Sequence, residues 1–241
     1  KQNSFQFEEY NYLDLGKSVS LSSDGNTVAL GSPGDDLVEV LFYNGIDTWT
    51  RKGVSIFLNS NSGLGNALSL SSDGSIIGIG EPNKNEETGS ITIFEYNFDL
   101  NRWNALGSDL VGENLGDKFG TVVSLSSDGK TIAGASISSS AESGDGYVKI
   151  FNYKKEAAPS TDYSWVQVGS NKSSQNKKVY SPYISLSSNG ITLAHGEPSA
   201  SSDGTKINQG IVKVYNLIKS KPIAVDDTLT INEDAALTST D

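Results

Sequence analysis

The sequence predicts an all-β fold, a β-propeller of four-stranded antiparallel blades with four blades in this chain. Three observations lead to this prediction. A six-residue phrase returns four times in 241 residues, about every 50 to 60 residues. Short segments in which Val, Ile, Phe and Tyr alternate with polar residues follow each copy, as expected of half-buried strands. No segment shows the 3.6-residue periodicity of an amphipathic helix.

The first strand of each unit is predicted to end in a hairpin turn inside the repeated phrase. The copies are Ser20–Gly25, Ser69–Gly74, Ser124–Gly129 and Ser185–Gly190. Each ends in Asp-Gly or Asn-Gly, the strongest short hairpin signal, because both residue types tolerate positive φ. The predicted turn residues are Asp24, Gly25, Asp73, Gly74, Asp128, Gly129, Asn189 and Gly190.

The other three strands follow in the same order in each unit. The second strand is expected to close at Gly31-Ser32-Pro33, Gly80-Glu81-Pro82, Gly134-Ala135-Ser136 and Gly196-Glu197-Pro198. The third strand is the alternating segment at Val38–Tyr43, Ser90–Tyr96, Tyr147–Tyr153 and Ile211–Tyr215. The outer strand passes through Trp49, Trp103 and Trp165, whose recurrence in register predicts packing between blades.

An apolar-Gly pair precedes the phrase as Leu15-Gly16, Leu64-Gly65 and Phe119-Gly120, and Tyr180-Ser181 replaces it in the fourth copy. These pairs and the Gly-x-Pro segments resemble the FG-GAP repeat of integrin α-chain propellers and bacterial surface proteins, over about residues 3–217. The resemblance implies an extracellular or cell-surface location and raises the possibility of Ca²⁺ in the turns. Such a cage needs several oxygens, whereas each turn offers at most one carboxylate, so we expect the turns to be structural.

We expect blades at about residues 11–58, 59–112, 113–172 and 173–219 of a propeller domain at 1–219. The fourth blade lacks a tryptophan strand, and residues 3–10 alternate without inner strands before them. Blade 4 thus lacks an outer strand, and residues 3–10 are a strand without a blade of their own. We therefore predict that residues 3–10 are the closing strand of the last blade. The alternative is a seven-bladed ring, usual for the FG-GAP family, with three blades before Lys1.

Residues 220–241 differ in composition from the repeats. The segment from Lys221 to Asp234 resembles the opening strand of cadherin-like tandem domains in bacterial adhesins, which implies a linker and a first strand. Such domains often stiffen their junctions with Ca²⁺. The predicted metal ligands are Asp226, Asp227, Glu233 and Asp234, and Ca²⁺ is the only cofactor considered.

Composition excludes several classes of function. With 18 Lys and Arg against 29 Asp and Glu, the net charge of −11 repels nucleic acid. The absence of cysteine excludes thiol chemistry and disulfides, and no apolar run is long enough to span a bilayer. Because the chain begins at Lys1 and contains no methionine, we expect a processed or partial product.

The sequence gives little sign of catalysis. His195 is the only histidine and follows an apolar run, so a core or rim position is expected, and no nucleophile motif is present. The chain is therefore predicted not to be an enzyme. Acids in the variable loops are the candidate binding residues: Asp35, Asp36, Glu86, Glu87, Glu142, Asp145 and Asp203.

The functional prediction is a non-enzymatic extracellular binding or structural module of a larger cell-surface or secreted protein. Its loops would bind a glycan or a protein, as in adhesion. One alternative is a self-assembling subunit of a surface layer or filament, in which the tail strand binds copies of the chain. Another is a glycan-cleaving hydrolase, whose carboxylate pair would meet only in space.

Overall fold

The computed structural model describes residues 12–46, 48–58, 61–137, 146–156, 162–173, 183–198, 210–217 and 227–229. In these ranges the chain is all-β, apart from one four-residue helical turn, α1 (Lys84–Glu87). Four antiparallel sheets follow one another along the chain. The predicted all-β, blade-based fold is confirmed.

The four sheets are blades 1 to 4. Blade 1 contains β1 (Ser18–Leu21), β2 (Thr27–Ser32), β3 (Leu37–Tyr43), β4 (Trp49–Arg51) and β5 (Ile56–Phe57). Blade 2 contains β6 (Ala67–Leu70), β7 (Ile76–Glu81), β8 (Ser90–Asn97), β9 (Arg102–Ala105) and β10 (Leu110–Val111). Blade 3 contains β11 (Val122–Leu125), β12 (Thr131–Ala135), β13 (Tyr147–Lys155), β14 (Tyr163–Gln167) and β15 (Lys172–Ser173). Blade 4 contains β16 (Tyr183–Leu186), β17 (Thr192–Glu197), β18 (Ile211–Asn216) and β19 (Asp227–Leu229).

The outer edge of blades 1 to 3 is divided between two short strands. In blade 1, β4 and β5 both pair with β3, at opposite ends of that strand. Blades 2 and 3 repeat this arrangement on β8 and β13. The tryptophan strand therefore covers only half of the third strand, and a second short strand completes the edge.

Each turn between the first two strands is held by a serine and an acid of the repeated phrase. In blade 2, Ser71 Oγ donates to Asp73 Oδ1 at 2.6 Å and accepts the amide of Ile76 at 2.9 Å. Gly74 adopts a φ of +64°, which strongly favours glycine. The turns after Ser22, Ser126 and Ser187 have the same bonds, with Asn189 replacing the acid in blade 4.

The apolar cores lie between consecutive blades. We call the side of a blade turned towards the next blade its leading face, and the side turned towards the previous blade its trailing face. The leading face of blade 1 buries Val38 and Val40 against Leu70 and Ile77 on the trailing face of blade 2. Equivalent clusters join blade 2 to blade 3 and blade 3 to blade 4. Each blade is thus stabilised mainly by its neighbours.

The second strand of blade 3 is shifted by one residue from the predicted alignment. Gly31, Gly80 and Gly196 lie opposite Ser18, Ala67 and Tyr183. In blade 3 the residue in this position is Ala135, opposite Val122, and Gly134 lies one position earlier. The methyl group of Ala135 therefore fits at this position. The prediction aligned the four strands by their glycines, and in blade 3 this placed the strand end one residue too early.

The outer edge of blade 4 pairs with a segment of the tail. Val212 and Val214 on β18 lie opposite Leu229 and Asp227 on β19. The closing strand predicted at residues 3–10 lies outside the described residues. The assignment of residues 220–241 to the start of a cadherin-like domain stays a prediction. Residues 227–229 of this segment pair with the propeller strand β18.

Candidate functional site

Polar residues gather at the end of each blade opposite the Ser-Ser-Asp-Gly turns, where the second strand leads into the third. We call this side of the molecule the loop face. One position of the third strand is polar in all four blades although its neighbours in the strand are mostly apolar. Its occupants are Glu39, Thr92, Lys149 and Lys213, paired with Leu30, Ile79, Gly134 and His195.

In blade 2 this position belongs to a cluster of Glu81, Lys84, Thr92 and Asp109, the blade 2 cluster. Lys84 Nζ lies 3.1 Å from Glu81 Oε1 and 2.8 Å from Asp109 Oδ2. Thr92 Oγ1 is hydrogen bonded to Glu81 Oε1 and lies 2.9 Å from Asp109 Oδ1. One ammonium group and one hydroxyl group therefore hold two carboxylates side by side.

The blade 2 cluster is buried at one end and open at the other. The Glu81 side chain is 0% exposed, whereas those of Lys84 and Asp109 are 23% and 38% exposed. Glu81 Oε2 is buried and has no hydrogen-bond partner among the described residues. Lys84 and Asp109 can thus reach a bound molecule, while Glu81 supports them from behind.

Lys84 remains a cation in this setting. Burial lowers its pKa, but the hydrogen bond to Asp109 and the charge of Glu81 outweigh burial, so the pKa lies above its ordinary value of 10.5. The ammonium group partly balances the two carboxylates. It is also available to a developing negative charge on a ligand.

The loop that carries Lys84 has a strained backbone. Asn85, Glu86 and Glu87 have φ values of +53°, +54° and +63°, in the left-handed region, which costs about 1 kcal/mol or more for each non-glycine residue. Contacts with the start of blade 3 hold this conformation. Lys118 donates its amide to the carbonyl of Glu87 at 2.7 Å and its ammonium lies 3.0 Å from the Glu87 carboxylate. Strain of this kind is concentrated at functional segments of proteins.

In blade 1 the residue at the strand position of Thr92 is Glu39, whose carboxylate is held by an ion pair and by hydrogen bonds. Glu39 is 1% exposed and lies 3.1 Å from the guanidinium of Arg51. Glu39 Oε1 also accepts hydrogen bonds from the Tyr12 hydroxyl at 3.0 Å and the Ser55 hydroxyl at 2.9 Å. Such a saturated pair is suited to holding the blade edge rather than to binding a ligand.

Blade 3 buries a lysine at this position. Lys149 lies 3.4 Å from the carboxylate of Glu113 and donates to the carbonyl of Val111, both from the end of blade 2. Nearby, the Tyr147 hydroxyl donates to Asp117 at 2.7 Å, and burial together with this bond raises the Tyr147 pKa. These contacts join blades 2 and 3.

Blade 4 contains the only histidine. His195 is 0% exposed, and its Nδ1 lies 3.8 Å from Glu197, which pairs with Lys213 at 2.8 Å. Burial lowers the His195 pKa to about 4, so the ring is neutral near pH 7. The buried position agrees with a structural histidine.

The loop acids named in the sequence analysis have different surroundings. Asp36 is 5% exposed and accepts the amides of Ser62, Gly63 and Leu64, which fixes the connection to blade 2. Asp35 accepts the amide of Leu13 at 2.6 Å. Glu86 and Glu87 lie in the strained loop beside Lys84. Glu142, Asp145, Asp203, Asp226, Glu233 and Asp234 lie outside the described residues, and Asp227 is described only as part of β19.

Two of the three tryptophans join neighbouring blades through their indole groups. Trp103 of blade 2 donates Nε1–H to the Lys52 carbonyl of blade 1 at 2.8 Å. Trp165 of blade 3 donates in the same way to the Leu106 carbonyl of blade 2 at 2.7 Å. Trp49 packs on Tyr43 of its own blade.

The described residues contain neither a metal-binding cluster nor a membrane-spanning helix. No group of three or more His, Asp or Glu side chains in the described ranges is placed to hold a metal ion. No helix in the same ranges combines the length and the apolar composition needed to cross a membrane. Calcium binding by the tail acids stays a prediction.

Sequence reasoning missed the blade 2 cluster. Thr92, Lys84 and Asp109 belong to three segments and no motif links them, so only the packing of the blade brings them together. A signal was available in the third strands, where Glu39, Thr92, Lys149 and Lys213 interrupt otherwise mostly apolar runs. A polar residue repeated at one strand position indicates a buried polar network.

The fold places the chain among β-propeller proteins, and solved structures resemble it. One from Bacteroides uniformis, provisionally assigned as a 6-phosphogluconolactonase, has a TM-score of 0.58 and 15% identity over 89% of this chain and 55% of its own. Another with the same provisional assignment, from Bacteroides fragilis, has a TM-score of 0.57 and 17% identity over 89% and 54%. A protein from Lactobacillus plantarum has a TM-score of 0.53 and 15% identity over 86% and 53%.

The chain spans about half the length of these structures, and identities this low show the shared fold alone. No protein-family model and no curated protein sequence matches the chain. The FG-GAP assignment of the repeat, the cadherin-like assignment of the tail, the extracellular location and the glycan or protein partner stay predictions.

The comparisons correct the functional prediction. A non-enzymatic extracellular binding module was expected, yet two of the matched structures carry a provisional enzyme assignment. The expectation that the chain is not an enzyme is therefore not supported. The sequence shows no catalytic motif, and polar groups that a propeller brings together from separate strands leave no such motif.

Proposed function

We propose that the chain hydrolyses a small sugar-derived ester of the lactone type at the blade 2 cluster. The observation that carries the proposal is the partly exposed pair of Lys84 and Asp109, 2.8 Å apart and supported from behind by the buried Glu81. A cation beside a carboxylate offers an electrophile and a general base in one place.

The chemistry assigned to these residues is general-base hydrolysis. Asp109 accepts a proton from a water molecule, and the water oxygen attacks the lactone carbonyl carbon. The carbonyl oxygen gains negative charge, which the Lys84 ammonium stabilises. When the tetrahedral intermediate collapses, the ring C–O bond breaks, and the leaving oxygen takes the proton back from Asp109. The product is the open-chain hydroxy acid.

Glu81 and Thr92 position the two reacting side chains. Glu81 Oε1 accepts from Lys84 at 3.1 Å, which directs the ammonium towards Asp109. Thr92 Oγ1 contacts both carboxylates and restrains Asp109 from the strand side. Support by buried neighbours fixes a site more accurately than side chains on a mobile loop would.

The structural comparisons support the proposal in one respect. Two matched structures carry a provisional assignment to lactone hydrolysis, so the proposed reaction class is compatible with the fold. A sugar lactone is polar and small, which suits a cluster exposing one lysine and one aspartate. Lactones also hydrolyse easily, so one base and one cation suffice to accelerate the reaction.

The test is acid release from δ-gluconolactone and from 6-phosphogluconolactone, followed in a pH-stat with spontaneous hydrolysis subtracted. We expect the wild-type chain to accelerate one of the two. Asp109→Asn and Lys84→Met should each lower kcat by about 100-fold or more, the range for a lost base or oxyanion donor.

Glu113→Gln is the matched control, because Glu113 is a half-exposed carboxylate paired with Lys149 outside the blade 2 cluster. This variant should retain wild-type kcat. A wild-type rate equal to spontaneous hydrolysis with both substrates would refute the proposal. Equal activity of Asp109→Asn and wild type would refute the assigned site.

A further inference from the structure

Two series of hydrogen bonds join the inner edges of neighbouring blades. The second serine of each turn forms the first series: Ser23 N donates to Ser72 O, Ser72 N to Ser127 O, and Ser127 N to Ser188 O, each at 2.9 Å. In the second series a first-strand serine hydroxyl accepts an amide of the next blade. Its pairs, each at 2.9 Å, are Leu70 N to Ser20 Oγ, Leu125 N to Ser69 Oγ and Leu186 N to Ser124 Oγ.

Both series stop at the two ends of the chain of blades. On blade 1, Leu21 N and Ser23 O are the groups that a preceding blade would engage. On blade 4, Ser185 Oγ and Ser188 N are the groups that a following blade would engage. Within the described part of the chain these four groups make no blade-to-blade bond. Leu21 N on blade 1 is a donor suited to the acceptor Ser185 Oγ on blade 4. Ser23 O on blade 1 is an acceptor suited to the donor Ser188 N on blade 4.

The described residues leave the trailing face of blade 1 open. Leu21 is 58% exposed, although its counterparts Leu70, Leu125 and Leu186 are 8%, 8% and 9% exposed under the preceding blade. Val19 is 59% exposed, whereas its counterpart Leu68 is 9% exposed. The residues are of the same apolar type in every blade, and only the cover differs.

The leading face of blade 4 is likewise left open by the part of the chain that the structure describes. Val214 is 41% exposed, while its counterparts Val40, Ile93 and Ile150 are 3%, 1% and 1% exposed. Val212 is 38% exposed, and the residues in its position in blades 1 to 3 are all 0% exposed: Val38, Ile91 and Val148. Large apolar side chains left open at both ends of a repeat array indicate an interface.

We propose that the leading face of blade 4 binds the trailing face of blade 1 in a second copy of the chain, so that two copies close an eight-bladed ring. The new interface repeats the internal ones, because the blades share their sequence pattern. Leu21 and Val19 of one copy cover Val212 and Val214 of the other. Ser188 N donates to Ser23 O, and Leu21 N donates to Ser185 Oγ.

A second copy fits these ends because one chain carries both complementary halves. A single head-to-tail contact buries one apolar face of each copy, and a closed ring of two copies buries both faces of each copy. Eight blades fall within the range of about four to eight in which β-propellers close.

The measurement is the mass of the full chain in solution, by light scattering after gel filtration and by native mass spectrometry over a series of concentrations. We expect twice the mass of one chain. Since each copy carries a net charge of −11 and the interface is apolar, raising the salt concentration should strengthen association.

Two variants each disrupt one half of the interface: Leu21→Lys on the trailing face and Val214→Lys on the leading face. Each alone should be a single copy, because every contact needs one intact face of each kind. Mixed in equal amounts, the two should form a mixed pair through their intact faces, which also shows that both are folded. The control Ile46→Lys alters a side chain that is 81% exposed in a loop and should pair like wild type.

A wild-type chain that stays single at all concentrations overturns the proposal, and the two faces are then covered by other blades or by another protein. Assemblies larger than two copies overturn the closed ring. Failure of the two variants to pair when mixed, with both giving folded circular dichroism spectra, overturns the assigned faces.

Discussion

At the scale of single residues, the repeated serines connect blades as well as forming turns. Ser69 Oγ accepts the amide of Leu125, which is 8% exposed, across the boundary between blades 2 and 3. Ser69→Ala should lower the free energy of unfolding by about 1–3 kcal/mol, because the amide then lacks an acceptor. Urea denaturation measures the change.

Ser185→Ala is the control for this prediction, because the hydroxyl of Ser185 receives no amide from another blade within the described residues. At high dilution, where the protein is monomeric, Ser185→Ala should lower the free energy of unfolding by no more than about 0.5 kcal/mol. Equal losses for the two variants would contradict the blade-to-blade role of Ser69.

His195 should make the stability depend on acid. Burial lowers its pKa from 6.5 to about 4, so the unfolded state binds the proton more tightly. The stabilisation is complete above pH 6.5 and is lost as the pH falls towards 4. The resulting loss in the free energy of unfolding is about 3 kcal/mol when the titration is complete.

Chemical denaturation at a series of pH values between 7 and 4 measures this loss. In His195→Asn the slope between these values should be smaller than in wild type, whatever the overall stability of the variant. Parallel profiles for the two proteins would show that His195 does not titrate in this way.

At the scale of strands, the glycine near the end of the second strand in blades 1 and 2 permits close contact with the next blade. A Cβ on Gly80 would lie 1.9 Å from the carbonyl oxygen of Gly120 in blade 3, so backbone must shift. Gly80→Ala should lower the free energy of unfolding by about 1–3 kcal/mol. Thermal and urea denaturation measure the change.

Gly196 is the equivalent glycine of blade 4, and a Cβ there would meet nothing closer than 3.6 Å. Gly196→Ala should therefore leave stability nearly unchanged in the single copy. A large loss in both variants would mean that strand geometry, and not blade contact, requires glycine at this position.

The strands and turns could be predicted from the sequence because their causes are local. Asp24-Gly25 sets its turn through bonds within a few residues, and the alternation of buried leucines with less buried residues sets the faces of β6. The blade 2 cluster could not be predicted, since Thr92 and Asp109 become neighbours only when β8 pairs with β9 and β10. Tertiary pairing, not local propensity, creates the candidate site.

At the scale of the whole molecule, the two sides of the blades have different tasks. The turn side carries the serine series that joins the blades, and its side chains are occupied by those bonds. The loop face carries the polar clusters, of which that of blade 2 offers an exposed lysine and aspartate. The residues proposed for catalysis thus lie on the opposite side of the blades from the serine series.

The most direct measurement of this account is a titration of the ¹⁵N-labelled chain with gluconate, the open-chain product of lactone hydrolysis, followed by backbone amide shifts. We predict that the largest shifts fall at residues 82–89 and 106–112, around Lys84 and Asp109, and vanish in Lys84→Met. Shifts confined to the turns at 22–25, 71–74 and 126–129, or absent at saturating gluconate, would contradict the assignment of the loop face as the functional site.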